Sequence, residues 1–319
     1  MFKLAIVLLC LLPAPLAQAQ TYPSRPVRIV VPFPPGAATD TLGRLIAQRL
    51  TETWAQPVTV DNRPGAGSII GAEMSAKSAP DGTTIFMGHI GTHGANPALY
   101  ARLPYDPVRD FAPVSLLVTI PNLLAVHPSL PVNNVRELIE LAKSRPDALN
   151  IGSPGISTSS HLIIALFGSL TGTSMTHIPF KGTVAAMQGF VGGDVQVAFD
   201  TVTAIMPQAR AGRVRVLAIT SKDRSATAPD VAPLAESGVP GFDVSTWFAF
   251  FVPTGTPRPV IDRVNADVVR IMQTKDMSER LQFMGMNVVA SSPEQLASHV
   301  NSEITRWGRV VKEANIKVE

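Results

Sequence analysis

An α/β fold of two lobes, each a mostly parallel sheet flanked by helices, is predicted by three features of the chain. Short apolar runs alternate with stretches of helical apolar spacing from Val27 onward. Two longer apolar stretches, Phe111 to His127 and Phe242 to Val252, break that alternation and are flanked by Pro or Gly. The roughly 300 residues after a distinct N-terminal segment suit one large or two medium domains.

That N-terminal segment, residues 1–19, has the order of a secretory signal peptide: Lys3, an apolar stretch from Leu4 to Leu12, then small residues at Ala17 and Ala19 around Gln18. Cleavage is expected near Ala19, leaving an exported product. Cys10 follows Leu9, where a lipid-anchor signal would want a small residue, so it is read as part of the apolar stretch. No other cysteine occurs, so the exported chain must depend on a core rather than on disulfides. No later run approaches the roughly 18 apolar residues of a membrane span, and the protein is not expected to be membrane-embedded.

The predicted buried strands are Val27 to Phe33, Val58 to Asp61, Thr84 to Met87, Leu149 to Gly152, Val195 to Phe199 and Val214 to Ile219. Leu42, Leu45, Ile46 and Leu50 repeat at helical spacing, as do Leu162, Ile163, Leu166, Phe167 and Leu170. The two long apolar stretches are read as strands that cross between lobes. This divides the chain into a discontinuous lobe 1, residues 20–122 and 241–319, and lobe 2, residues 123–240. The final part, Val260 to Ile271, Met277 to Met284 and Pro293 to Val311, reads as helices that pack back on lobe 1. Ser292 and Glu294 mark the start of the last one.

Removing Lys3 leaves 26 basic against 24 acidic side chains, a net of +2, and the basic residues are scattered. A nucleic-acid footprint needs clustered Lys and Arg with aromatic or base-reading groups. Aromatic residues are only 6% of this chain and no such cluster exists, so nucleic acid is not an expected partner.

Two strand-to-helix turns carry the candidate site. In the first, an apolar run ends at Phe33, breaks at Pro34, Pro35 and Gly36, and passes through Thr39 and Asp40 into a helix. In the second, Asn150, Ile151 and Gly152 lead through Ser153, Pro154, Gly155 and Thr158 into another. Helix N-termini have unpaired N–H groups and a partial positive charge, so they hold a carboxylate or phosphate without Lys or Arg. Thr39, Asp40 and Thr158 are also ordinary helix-capping types. Their occurrence at both turns, with glycine beside them, is what points to binding.

Other candidates are weaker. Gly65-Ala66-Gly67-Ser68-Ile69-Ile70-Gly71 looks like a dinucleotide loop, but it follows the second strand and no acidic residue sits suitably about 20 residues on. It is read as a turn that lets a helix approach the sheet, and no cofactor is expected. His89 and His93 would share a face on a helix, but Gly91 and Gly94 argue against a helix and no third metal ligand is apparent. They are placed in a loop at the cleft rim, without metal. His161 has no nucleophile elbow and no Asp partner and is read as orienting the loop or packing. Asp200, at the end of a strand, either caps the next helix or accepts from a ligand amine or hydroxyl. Lys181 reads as a surface residue, and Trp247 and Phe248 as hinge packing or, less favoured, a ligand wall. No catalytic residue is assigned.

Together these segments resemble the Bug (TctC-like) family of solute receptors of tripartite tricarboxylate transport. The resemblance is carried by Pro32 to Asp40, Asn62 to Gly67, Ala79 to Thr83, Leu103 to Asp106, Thr158 with His161 and Leu162, Pro179 to Gly182, and Thr305 to Trp307. It implies a monomeric two-lobed Venus-flytrap receptor of periplasmic binding-protein type II that closes on a small carboxylate and presents it to membrane subunits of a transporter. Carried over residue by residue, it puts Phe33, Gly36, Ala37, Thr39 and Asp40 on one jaw and Ser153, Gly155, Thr158 and Ser159 on the other, with Asp200 nearby. The family often has Gly where Ala37 and Ser157 stand. A methyl group at Ala37 is awkward if that position needs positive φ, which leaves the pocket shape open. The rival readings are a receptor that docks on a membrane signalling protein and an exported enzyme.

Overall fold

The computed structural model describes residues 22–313 and residue 316. The expected leader, residues 1–19 with its cleavage site, lies outside the described residues. In chain order the first lobe opens with β1 (Val27–Val31), α1 (Ala38–Trp54), β2 (Val58–Asn62), α2 (Ile69–Ala76), β3 (Thr84–His89) and α3 (Asn96–Leu99). The long β4 (Phe111–Val126) follows, then α4 (Val135–Ser144), β5 (Asn150–Ser153), α5 (Ser159–Thr171), β6 (Thr176–Pro179), α6 (Thr183–Gly192), β7 (Val197–Thr201), α7 (Val202–Arg210) and β8 (Arg215–Ile219). The chain closes with β9 (Ser245–Pro253), α8 (Arg258–Met272), α9 (Lys275–Phe283), β10 (Asn287–Val288) and α10 (Pro293–Glu313).

β4 belongs to both sheets. Its first part, from Phe111 to Pro121, runs antiparallel to β9 in a sheet ordered β2-β1-β3-β9-β4, where β2, β1 and β3 are parallel. From Asn122 onward it pairs instead with β7 and β8, and β7, β5 and β6 continue as parallel neighbours. The first expected crossing strand is therefore a single continuous strand. The second is shifted: β9 starts at Ser245, opposite Pro121, and lies wholly in the first sheet. The return passage is made just before it, where the Val244 N–H donates to the Thr220 carbonyl.

Alternation along the strands divides the core into two layers, one on each side of the sheets. Val27, Ile29 and Val31 of β1 face α1, α8 and α9, in a layer that continues to Phe190 of α6 and Ile205 of α7. Val30 faces the other way, into the layer that holds Ala72, Leu138, Leu162 and Trp307 of α2, α4, α5 and α10. Each such Leu, Ile or Phe contributes about 1.5–3 kcal/mol by leaving water. Two buried indoles in this second layer, Trp247 and Trp307, both donate to Glu303 Oε2, at 2.9 and 3.0 Å. The start of α10 uses Ser292 as expected, but its partner is Gln295: each side chain accepts from the other's backbone N–H. Glu294 instead pairs with Arg258 at the surface.

Candidate functional site

The first turn is tied down from inside. Gly36 has φ of 87°, and its N–H donates to Asp40 Oδ2 at 3.1 Å. Asp40 also accepts from Arg44 Nε at 3.0 Å and Asn62 Nδ2 at 2.9 Å. Burial pushes its carboxyl up, but the hydrogen bonds from Arg44, Gly36 and Asn62 outweigh that and hold it below the usual carboxylate range. Ala37 occupies the N-cap of α1 with φ of −71° and ψ of 160° and caps nothing. The expected strain at Ala37 does not arise, because this is ordinary extended backbone and the left-handed position is Gly36. Thr39 is buried in the first helical turn and does not cap it, so the first-turn N–H groups of α1 have no side-chain partner from the cap.

In the second turn Ser153 Oγ accepts from the Gly155 N–H at 3.2 Å and lies 2.6 Å from His177 Nε2. Thr158 caps α5: its Oγ1 accepts from the His161 N–H at 3.4 Å and donates to the Gly155 carbonyl at 2.7 Å. Ser157 has φ of 62°, so the departure from glycine there does fall on a left-handed position. His161 stacks on His177 with ring centroids 4.8 Å apart, and its Nδ1 accepts from the Ser157 N–H. Burial pushes both imidazoles down to about 4. His161 is thus a neutral ring that orients the loop.

Between the turns lies a narrow inner cavity of about 40 Å³. Four helices begin at its wall: Ala37 and Thr39 mark the start of α1, Thr158 and Ser159 that of α5, Thr183 that of α6 and Thr201 that of α7. The N-caps of α1, α6 and α7 make no side-chain hydrogen bond. Helix N-termini carry a partial positive charge, so these starts direct it toward a cavity whose lining includes no Lys or Arg and one carboxyl, Asp200. Phe33, His89, Asp200, Thr246 and Phe248 complete the wall. His89 Nε2 and Asp200 Oδ2 are buried without a hydrogen-bond partner, and burial pushes His89 down to about 3 and Asp200 up to about 7.

Phe33, Pro154 and Thr158 separate this chamber from an outer cavity of about 540 Å³. Its walls are mostly apolar and come from Pro32, Pro64, Ile156, Pro179 and Phe180, with Lys181 among them. The turn from Gly65 to Ser68 also lines it, with four successive positive φ angles of 125°, 46°, 60° and 71°. Gly71 does allow close helix approach, since a Cβ there would lie 3.0 Å from the Arg63 carbonyl oxygen and 3.2 Å from Pro32 Cβ.

Of the ten expected contact residues, Phe33, Ala37, Thr39, Thr158, Ser159 and Asp200 meet at the inner cavity, and Gly155 lines the outer one. Gly36, Asp40 and Ser153 line neither and instead fasten the turns. His89, Thr183, Thr201, Thr246 and the Gly65 to Ser68 turn also line the site, with no local signal in the sequence marking them as contacts, and Phe248 stands there as a wall. His89 and His93 are not in a rim loop. Both are buried, at the end of β3 and in a π-helical turn from Gly91 to Ala95. His93 stacks on Phe251 with centroids 3.7 Å apart. The two glycines favour this turn because they admit close neighbours: a Cβ at Gly91 would sit 2.1 Å from the Ser157 carbonyl oxygen. Among the described residues no three His, Cys, Asp or Glu side chains are grouped to hold a metal ion. Ser153 and His177 form a serine–histidine contact, but Ser153 is fully buried and lines neither cavity.

Comparison with known proteins places the chain in a family and a fold. The family described as "Tripartite tricarboxylate transporter family receptor" (TctC) matches residues 42–316. Protein BugT of Bordetella pertussis is 36% identical over 302 residues, spanning 94% of this chain and 93% of its own. Two solved structures superpose closely. Rpa4515 of R. palustris with adipate gives a TM-score of 0.89 at 37% identity, covering 93% of this chain and 99% of that one. MatC (Rpa3494) from Rhodopseudomonas palustris with bound malate gives 0.86 at 38% identity, covering 91% and 100%.

Proposed function

The chain belongs to the TctC family of tripartite tricarboxylate transporter receptors, and from that premise we propose that it captures a small mono- or dicarboxylate in its inner cavity and delivers it to the membrane subunits of such a transporter. The family is one of solute-binding receptors and not of enzymes. The observation that carries the reading is the convergence of four helix N-termini on one buried chamber whose lining has no cationic side chain. A carboxylate bound there accepts from backbone N–H groups and hydroxyls. Charge-assisted hydrogen bonds of this kind contribute about 1.5–3 kcal/mol each. Three or four of them give roughly micromolar affinity after association costs.

In this proposal Phe33, Ala37, Thr39, Thr158, Ser159 and Asp200 touch the bound head group, while Gly155 and the outer cavity meet whatever extends from it. The protein works as a monomer in the periplasm after cleavage near Ala19, and its lobes divide near residues 122 and 240. The adipate and malate held by the two related structures support a carboxylate and leave its length open, since the outer cavity is roomy. Thermal-shift screening against mono-, di- and tricarboxylates tests the proposal. A shift with at least one carboxylate class is expected, and a flat response across the panel would refute it.

A further inference from the structure

We infer that Glu303 is a positioning residue for the inner cavity, acting from the far side of the sheet: through the Trp247 indole it anchors the strand that carries Thr246 and Phe248. The inference rests on the proposed carboxylate capture and gives it a residue that lines neither cavity.

Thr246 and Phe248 line the inner cavity. Side chains alternate along a strand, so Trp247, between them on β9, points into the other core layer, where it is 1% exposed. There its Nε1 donates to Glu303 Oε2 at 2.9 Å, and Trp307 Nε1 donates to the same oxygen at 3.0 Å. His299, one turn earlier on α10, packs edge-on against the Trp247 ring with centroids 4.9 Å apart. Arg306, on the same helix, donates from Nη2 to the Asp243 carbonyl. α10 therefore grips the return segment on both sides of Val244, where the chain passes between the sheets.

A buried carboxylate is a costly way to hold two indoles, since apolar packing in its place is often as stable. What it adds is direction: two N–H groups aimed at one oxygen fix the Trp247 ring and, with it, the backbone that bears the ring. On the opposite face the Thr246 hydroxyl is within hydrogen-bond reach of Asn122 on the crossing strand and of Ser159 at the start of α5. The anchored strand thus sets where a lobe 1 hydroxyl meets the second jaw. The two indole bonds differ in what they reach. Trp307 lies four residues from Glu303, so its bond stays within α10. Trp247 lies 56 residues away, and its bond reaches the cavity wall.

Trp247→Phe and Trp307→Phe each remove one of these two bonds at equally buried sites. Calorimetry with malate and adipate, and with any further carboxylate that registers in the thermal-shift panel, compares the two variants, and urea unfolding measures their stability. Both should lose stability to a similar extent. Affinity should fall roughly 3- to 10-fold in W247F, the worth of one hydrogen bond, and stay within about twofold of the parent in W307F. Glu303→Ala should lose at least as much affinity as W247F, and Glu303→Gln, which keeps an oxygen for the indoles, should recover most of that loss. Equal losses in W247F and W307F, no loss in W247F, or a glutamine variant no better than the alanine one overturns the inference and leaves carboxylate capture standing. If a variant does not fold, fluorine NMR of the fluorotryptophan-labelled parent decides. The chain has three tryptophans, so two folded Phe variants, Trp54→Phe among them, assign all three signals. The Trp247 signal should shift on saturation with carboxylate, and one that does not move overturns the inference. Absence of binding by every carboxylate in the panel removes the capture proposal and this inference with it.

Discussion

The Tyr100 hydroxyl and Ser157 Oγ lie 3.2 Å apart, joining the end of α3 in the first lobe to the β5–α5 turn of the second. Alongside them the Ser157 carbonyl oxygen packs on Gly91 so closely that any Cβ there would overlap it. The two jaws are therefore in contact around the inner cavity. Small changes at this seam are expected to act on closure of the proposed receptor, although a Cβ at Gly91 would also meet His89 in its own lobe, at 2.6 Å.

Tyr100→Phe removes the hydroxyl and keeps the ring. Affinity for a bound carboxylate should fall by about 0.5–1.5 kcal/mol, the net worth of one such hydrogen bond, because the closed state loses it and the open state does not. Gly91→Ala blocks the seam sterically and should cost more than Tyr100→Phe. Calorimetry together with small-angle scattering, with and without ligand, measures both effects. Equal affinity in all three proteins would show that the seam has no part in closure.

Ser157 combines a useful side chain with an unfavourable backbone angle of 62°. Ser157→Ala and Ser157→Gly both lose the bond to Tyr100, but only glycine relieves the left-handed strain. The glycine variant should be the more stable of the two by about 1–2 kcal/mol. Urea unfolding of the pair reads this directly. An alanine variant as stable as the glycine one would mean that the turn has relaxed elsewhere.

Buried histidines make the protein acid-sensitive. Burial pushes His89 down to about 3, and His161 and His177 down to about 4. The unfolded chain, with histidines near 6.5, takes up protons first as pH falls. Their contribution is thus fully present above about pH 6.5 and is lost as pH drops through the folded values, at up to about 1.4 kcal/mol per group per pH unit. Chemical denaturation at several pH values should show stability falling below pH 6.5, with the fall reduced in His177→Gln. A pH-independent midpoint across that range would contradict the burial argument.

Asp200 has the opposite sign. Its carboxyl is pushed up to about 7 by burial, so between about pH 4 and 7 the folded protein holds a proton that the unfolded chain has released. The contribution is fully present below the unfolded value and is lost as pH rises through 7. In the absence of ligand, Asp200→Asn should gain stability relative to the parent across that interval, by up to about 1.4 kcal/mol per pH unit, and level off above it. Parallel denaturation series on the two proteins test this. A difference that does not change with pH would place the carboxyl in a better-solvated setting than its burial indicates.

The strands and helices that could be read from the sequence are those whose signals are local. Val27, Ile29 and Val31 alternate with Val30, and Leu42, Leu45, Ile46 and Leu50 repeat at helical spacing, so β1 and α1 fall where expected. The two site turns could be read for the same reason. Neighbouring residues alone did not show which atoms face the cavity. Asp40 and Ser153 sit in the right turns, but nearby donors capture them, Gly36 with Arg44 for one and Gly155 for the other. Thr183 and Thr201 begin helices no different locally from any other. His89 gave no sign that it would be buried, because the Ser157 carbonyl that covers that region lies in the other lobe.

The alternating α/β architecture, the long strand shared by both sheets and the pair of glycine-bearing turns are written in the local residue pattern, since periodicity and turn chemistry act over a few residues. It takes the folded molecule to show that four helix N-termini meet at one chamber, that Ala37 is unstrained and Ser157 is not, and that one oxygen of Asp200 lacks a partner. Each of these depends on groups brought together from distant parts of the chain, where burial and hydrogen-bond geometry are set by the packing of the sheets and not by any neighbour in sequence.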